Sequence, residues 1–481
     1  MYNVECLFDH HPVDQVAIAN FDISEININN PERPFTSLEM KQTSRNMAVG
    51  DLGFVEEDID FGRATLVINY LMQMYPFFSY GVQYDQKLHW MRYKSQDVQQ
   101  YQIDKYACEL ISLKQVGDYI ASACHCLSST KLSHWEIVKI NVPELPTVKS
   151  AISVKFYHTL IDGASVMILF KKFNQLYSNL DLDLTIKPEV VQLSNFRSLM
   201  VYDEETHPRP PKDNHEHKLN LTKMTGTFKE LNEYGSSLKH LEDYGVICRH
   251  YTEQQICRIP NVQYSFSLYA VQMAQFMGYA YFHGDIDIDQ QYFGMAADIR
   301  RNLQFHYEGK IPNLDLTNRI LGQAAVTSGL FSKGTTQTTL QNIAQQFQMQ
   351  FENYKETSQK FWNTVISNET TDIYCRRCIP CSVVTSNLGK MDLDDGPIIQ
   401  MAGYNTSVHN WDEAPCALAC AFHRGKLGIL VMEWDFKIFT EQQKENNNQV
   451  FLEINKQVKE RGAENVTIQD VIEMYRTIWC Q

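Results

Sequence analysis

Two hydrophobic periods meet near residue 160, and the change from one to the other is the clearest structural signal in the chain. Ile152, Val154, Phe156 and His158 alternate with Ser153, Lys155 and Tyr157, which predicts a strand with one buried face. Beyond Gly163 the spacing lengthens. Val166, Leu169, Phe170, Phe173, Leu176 and Tyr177 recur at helical intervals. Upstream, residues 61–75 carry a helical pattern, with Leu66, Val67, Tyr70, Leu71 and Met74 near one face, and Pro76 ends it. Residues 81–84 and 88–91 read as short strands around a turn at Asp85-Gln86-Lys87.

The later part of the chain repeats this mixture. Residues 262–281 read as a helix dense in apolar and aromatic positions, 292–297 as a strand, and 339–357 as a polar, Gln-rich helix. Ser382-Val383-Val384-Thr385 reads as a strand that stops in a turn at Ser386-Asn387-Leu388-Gly389, because Asn and Gly are turn formers. Residues 427–434 read as a late strand and 440–458 as a helix. Between the two parts lies His207-Pro208-Arg209-Pro210-Pro211-Lys212, followed by further polar residues to Lys218. Proline fixes φ and removes a donor, so this run suits a surface linker rather than a helix or central strand. The expected division is a first lobe over residues 1–205, a linker over 206–225 and a second lobe over 226–481.

Composition narrows the class. A chain of 481 residues, 44% of them hydrophobic, can fill the cores of two or three ordinary domains. The net charge of -14 argues against a broad nucleic-acid surface. No run approaches the roughly 18 apolar residues of a membrane span, and Met1-Tyr2-Asn3-Val4-Glu5 lacks the basic-then-apolar order of a secretory signal. A soluble, cytoplasmic, monomeric protein is expected. Its 12 cysteines are then expected to be reduced, and its four Asn-x-Ser/Thr triplets accidental.

The candidate chemistry sits where the periods change, in His158-Thr159-Leu160-Ile161-Asp162-Gly163. Imidazole is the side chain best suited to move a proton near neutral pH. At a strand end it can point into a cleft. Asp162 suits the start of the following helix as a cap, and Gly163 permits close backbone approach. An ordinary capped helix entry explains Asp162-Gly163 equally well.

Other segments bear on that choice. The hexapeptide resembles the His-x-x-x-Asp-Gly motif of the CoA-dependent acyltransferase superfamily. That superfamily includes chloramphenicol acetyltransferase, plant BAHD enzymes, peptide condensation domains, polyketide-associated acyltransferases and fungal alcohol acetyltransferases. Tyr75-Pro76-Phe77-Phe78 is similar to the family's His-Pro-x-Leu segment, and Ala297-Asp298-Ile299-Arg300 to its Val-Asp-x-Arg strand end. Thr385-Ser386-Asn387-Leu388-Gly389 resembles the Ser-Asn-x-Gly turn of the condensation and polyketide-associated branch. Their order agrees over roughly residues 35–460.

The resemblance implies an α/β fold of two chloramphenicol-acetyltransferase-like lobes, each a mixed sheet with flanking helices, around a central tunnel. It implies an acetyltransferase-like transferase of secondary metabolism, moving an acyl group from acyl-CoA to an alcohol without a covalent intermediate. His158 would be the general base, Asp162 a structural residue paired with Arg300, and Gly163 part of the site. Ser386 and Asn387 would line the tunnel or stabilise an oxyanion. No permanently bound cofactor or metal is implied, and acyl-CoA is a co-substrate. Two alternatives stay open: transfer from an acyl carrier protein to an amine or alcohol, and a non-catalytic binding module of the same fold. Tyr157 stands where condensation domains usually place a second histidine. Trp434-Asp435-Phe436-Lys437 is a poor match to the plant Asp-Phe-Gly-Trp-Gly segment.

Some motifs point elsewhere. Cys375, Cys378 and Cys381 have metal-ligand spacing, but the run abuts an expected core strand and is read as structural. Cys124-His125-Cys126, read as strand, would point to opposite faces. Lys171, Lys172 and Lys426 are expected to be solvated rather than bound to a CoA phosphate.

Overall fold

The computed structural model describes residues 48–75, 80–85, 90–95, 103–125, 134–158, 161–190, 245–283, 290–298, 320, 325–356, 383–393, 395–406, 418–435 and 439–479. The expected linker, Arg300 and the 375–381 cysteines lie outside these residues. In the first part run β1 (Ala48–Val55), α1 (Phe61–Met74), β2 (Tyr80–Asp85), β3 (Trp90–Ser95), β4 (Asp104–Leu110), α2 (Leu113–His125), β5 (His134–Ile140), β6 (Ser150–Tyr157) and α3 (Gly163–Ser178). Then come β7 (Gly245–Tyr251), α4 (Tyr264–Phe282), β8 (Gln290–Asp298), β9 (Ala325–Lys333), α5 (Leu340–Glu356), β10 (Val383–Lys390) and β11 (Ile398–Thr406). The chain closes with β12 (Leu418–Gly425), β13 (Gly428–Asp435), α6 (Glu441–Arg461) and α7 (Ile468–Trp479).

Two mixed sheets organise these elements. The first has the order β11-β1-β6-β5-β4, the second β7-β13-β12-β10-β8-β9, and β2 and β3 form a separate hairpin. Strand β11 departs from a simple division along the chain. It comes from the second part of the sequence, yet it pairs antiparallel with β1 of the first sheet from Ala48↔Thr406 onward.

Three cores follow from which face each strand buries. On one face of the first sheet, Ile152, Val154 and Phe156 of β6 pack with Val67 and Leu71 of α1 and Val166, Leu169, Phe170 and Phe173 of α3. The other face carries Leu52 and Phe54 of β1, which meet Val116 and Ile120 of α2 and Val246, Ala421, Leu430 and Met432 of the second sheet. The far face of the second sheet packs against α4, α5, α6 and α7. Helix α4 buries residues on every side, as expected of a helix apolar all round.

Several expectations change in detail. The buried stripe of α1 is Ala64, Val67, Ile68, Leu71 and Met72, while Leu66 is 45% exposed. The stripe follows the rows three and four apart through Ala64 and Ile68, which were not among the expected positions. In the β2–β3 hairpin Asp85 lies opposite Trp90, and residues 86–89, which hold most of the expected turn and the expected start of the second strand, lie outside the described residues. Cys124 and His125 end a helix, α2, rather than a strand. Residues 386–389 are not a turn after a strand: β10 continues through them to Lys390.

Asn174 ties α3 to the segment entering β11. Its amide donates to Leu393 O and Ile398 O, both at 2.8 Å, and its Oδ1 accepts Ile398 N–H at 2.9 Å. The side chain is fully buried. Asn174→Leu, similar in volume, would orphan three backbone groups at roughly 1–3 kcal/mol each. The expected outcome is a loss of about 3 kcal/mol or more, read as a lower denaturant midpoint of the full chain.

Candidate active site

Strand alternation places His158. Ile152, Val154 and Phe156 share the α1–α3 face of the first sheet, and His158 is the next position in that series. Its side chain is 6% exposed. Burial lowers its pKa from the usual 6.5, opposed by hydrogen bonding to its own and the Ile161 backbone and by the negative charge of Asp162. Backbone hydrogen bonds orient the ring, and burial favours its neutral form, in which one nitrogen carries a lone pair. A neutral imidazole is suited to accept a proton.

Asp162 caps α3. Its Oδ1 accepts the Ser165 N–H at 2.8 Å, its backbone is extended, and its side chain is fully buried. The cap fixes where α3 begins, and with it the short connection back to His158. Gly163, the first helical residue, is half-buried. A Cβ placed on it would lie 3.9 Å from Leu388 Cδ2, an ordinary contact. Packing alone therefore does not demand glycine here.

That contact brings the second sheet to the motif. Leu388 of β10 packs against the same core as Phe156, Ile161 and Val166. Alternation along β10 then separates the two polar candidates. Thr385 and Asn387 face α4: Thr385 Oγ1 donates to Gln272 Oε1 at 2.8 Å, and the Asn387 amide sits beside the Tyr269 hydroxyl. Asn387 Oδ1 also accepts the Gly389 N–H at 2.8 Å, where Gly389 has φ +76°. A positive φ favours glycine. Ser386 shares the opposite face with Leu388, and its strand partner Ala421 lies in the core between the sheets. Of the pair, Ser386 is turned toward the first sheet and Asn387 toward α4.

Sequence reasoning missed the residues behind β10. Tyr269 and Gln272 fall three apart on α4, a spacing that puts them on one helix face. Hydrogen-bonding side chains at this spacing on a helix rich in apolar residues were the available signal. Lys426 is exposed in a cleft of about 450 Å³ whose wall includes Asp392 and Asp395, a lining that disfavours a phosphate. Among the described residues, no cluster of three or more His, Cys, Asp or Glu could hold a metal ion, and no helix is long and apolar enough to cross a membrane.

No family model matches the chain, and no curated relative matches it by sequence. Solved structures do match its fold. Polyketide synthase associated protein 5 from Mycobacterium tuberculosis aligns with a TM-score of 0.54 at 9% identity, covering 89% of this chain and 98% of the other. The condensation domain of the Monacolin K polyketide synthase MokA aligns with a TM-score of 0.54 at 9% identity, over 90% and 98%. The X-domain from teicoplanin biosynthesis gives a TM-score of 0.53 at 11% identity, over 92% and 98%. The chain thus has the CoA-dependent acyltransferase-like fold of two lobes built on mixed sheets.

Proposed function

We propose that this protein is an acyltransferase that moves an acyl group from an acyl-CoA thioester to an alcohol hydroxyl, with His158 as general base. The observation that carries the reading is the buried imidazole at the end of β6, its pKa lowered by burial, followed by the Asp162 cap. The unprotonated ring nitrogen takes the acceptor's proton as the acceptor oxygen attacks the thioester carbonyl. The oxygen–carbon bond forms, the carbon–sulfur bond breaks, and the proton returns from His158 to the departing thiolate. Donor and acceptor would reach the imidazole from opposite sides of the junction between the lobes. Gly163, where packing leaves room, would border the donor's path. Arg300 would pair with Asp162, as the resemblance implies.

The tetrahedral oxyanion needs a donor. Ser386 is our candidate, since its strand face is the one that meets the first sheet, whereas Asn387 is engaged with Gly389 and Tyr269. Ser386→Ala is expected to lower the turnover number by about 10²-fold with little change in KM. An unchanged turnover number removes Ser386 from this role.

A carrier-protein thioester is the second reading, favoured by the fold likeness to a polyketide synthase condensation domain. One assay separates the two. Thiol release and product mass are followed with acyl-CoAs of graded length, and separately with a loaded carrier protein, against panels of alcohols and amines. Ester formation from free acyl-CoA is the expected result. Transfer from the carrier alone supports the second reading, and absence of any acylated product from either donor overturns both.

A further inference from the structure

Gly403 of β11 lies directly opposite Asp51 of β1. Asp51 is 4% exposed, and its Oδ2 has no hydrogen-bond partner. The edge of Gly403 turned away from β1 meets the second sheet. There His423 Nε2 of β12 lies 2.7 Å from Gly403 O and 3.1 Å from Gly403 N. His423 is 4% exposed, and its Nδ1 has no partner. A Cβ on Gly403 would fall 1.4 Å from Asp51 Oδ1 and 2.2 Å from its Cγ. Glycine is therefore what lets the carboxyl lie across this strand. Two buried side chains, each with an orphan polar atom, flank one glycine where the sheets join.

The location ties the trio to both halves of the site. β1 and β11 belong to the sheet whose β6 leads into His158. β12 pairs in parallel with β10, with Ser386 opposite Ala421 and Lys390 opposite Arg424, so His423 lies two residues along β12 from the partner of Ser386, on the same strand face. We propose that Asp51, Gly403 and His423 form a clasp between the two sheets, and that Asp51 and His423 are positioning residues that hold His158 and Ser386 in register. The positioning role rests on the reaction proposed above; the clasp itself does not.

The clasp is closed while both side chains are uncharged. Burial raises the Asp51 carboxyl to about 8 and lowers the His423 imidazole to about 4. The groups facing Asp51 are apolar: Val154 across on β6, Gly403 on β11, and the face of α3 that sets Phe170 against neighbouring Gly53. His423 is the titratable group on the β12 side, and His158 lies further along the same face of β6. An Asp51 neutral when folded and ionised when unfolded favours folding at low pH. That stability is full below the ordinary carboxylate value and is lost as pH rises to about 8. For His423 the sign reverses: its contribution is full above 6.5 and is lost as pH falls to about 4.

The test uses the full chain and reads melting temperature and turnover together. Gly403→Ala should lower the melting temperature by about 5 °C or more and turnover on the order of tenfold. Adding Asp51→Ala should restore the melting temperature, because the new methyl takes the vacated carboxyl space. Asp51→Asn should flatten the fall in stability expected of wild type between about pH 4 and 8, and the loss of turnover expected as pH passes about 8. His423→Gln, which keeps an N–H donor, should retain the turnover number that His423→Leu loses at nearly constant KM. Failure of Asp51→Ala to rescue Gly403→Ala, or an Asp51→Asn protein that tracks wild type across pH, overturns the clasp. Variants that move melting temperature but leave turnover intact overturn the positioning role alone. A wild-type chain that transfers no acyl group overturns the reaction and with it the positioning role, while the melting arm still decides the clasp.

Discussion

His158→Ala is expected to lower acyl-transfer turnover by about 10²–10⁴-fold, the usual worth of a positioned general base. The fold should survive, because the backbone groups bonded to the ring belong to its own residue and to Ile161. Near-ultraviolet circular dichroism and the melting curve check that point separately from rate. The pH profile gives an independent reading. Burial places the His158 pKa below 6.5, so kcat/KM of wild type should rise through a midpoint under that value and be flat at neutral pH. The alanine variant should lose this limb along with its rate. Turnover equal to wild type would remove His158 from the chemistry.

Asp162 should produce the second-largest effect, by a different route. Asp162→Ala removes the cap on Ser165 N–H and is expected to cost about 1–2 kcal/mol of stability. Because the cap fixes the start of α3 close to His158, turnover should also fall, on the order of 10²-fold. Asp162→Asn separates the two roles. Its side-chain oxygen can still cap the helix, so most of the stability should remain. Its lost charge removes a contribution that raises the His158 pKa, so the acid limb of kcat/KM should move to lower pH. An Asp162→Asn profile with an unmoved acid limb would show that the charge does not reach the imidazole.

The site was legible in the sequence wherever its structure is local. A change of period from two to helical spacing marked the β6–α3 junction, and both elements occupy those positions. α4 was legible for the same reason, since a helix apolar all round needs no partner to be recognised. β1 was not. Gly50, Asp51 and Gly53 interrupt its apolar run, and the reasons for Asp51 and Gly53 lie on elements distant along the chain. Gly53 makes room for Ile398 and Phe170, and Asp51 lies across Gly403. β11 escaped notice as a member of the first sheet because no local pattern states which sheet a strand joins.

The 386–389 segment shows a different limit. Asn387 and Gly389 are turn residues by composition, and they do form a local side-chain hydrogen bond. The segment nevertheless continues β10, and strand alternation divides Ser386 from Asn387. Reading those residues as a turn grouped them; reading them as strand would have separated them. The neutral clasp residues Asp51 and His423 gave no sequence signal, because a lone aspartate and a lone histidine become unusual only once burial removes their water.

The most direct measurement is mass spectrometry of a quenched reaction containing the protein, an acyl-CoA and an alcohol acceptor, with wild type and His158→Ala side by side. The account predicts acylated acceptor in the first, little or none in the second, and an unmodified protein mass in both. Acylated acceptor formed equally by the two proteins, or an acyl group carried on the protein itself, would contradict direct transfer by a His158 general base.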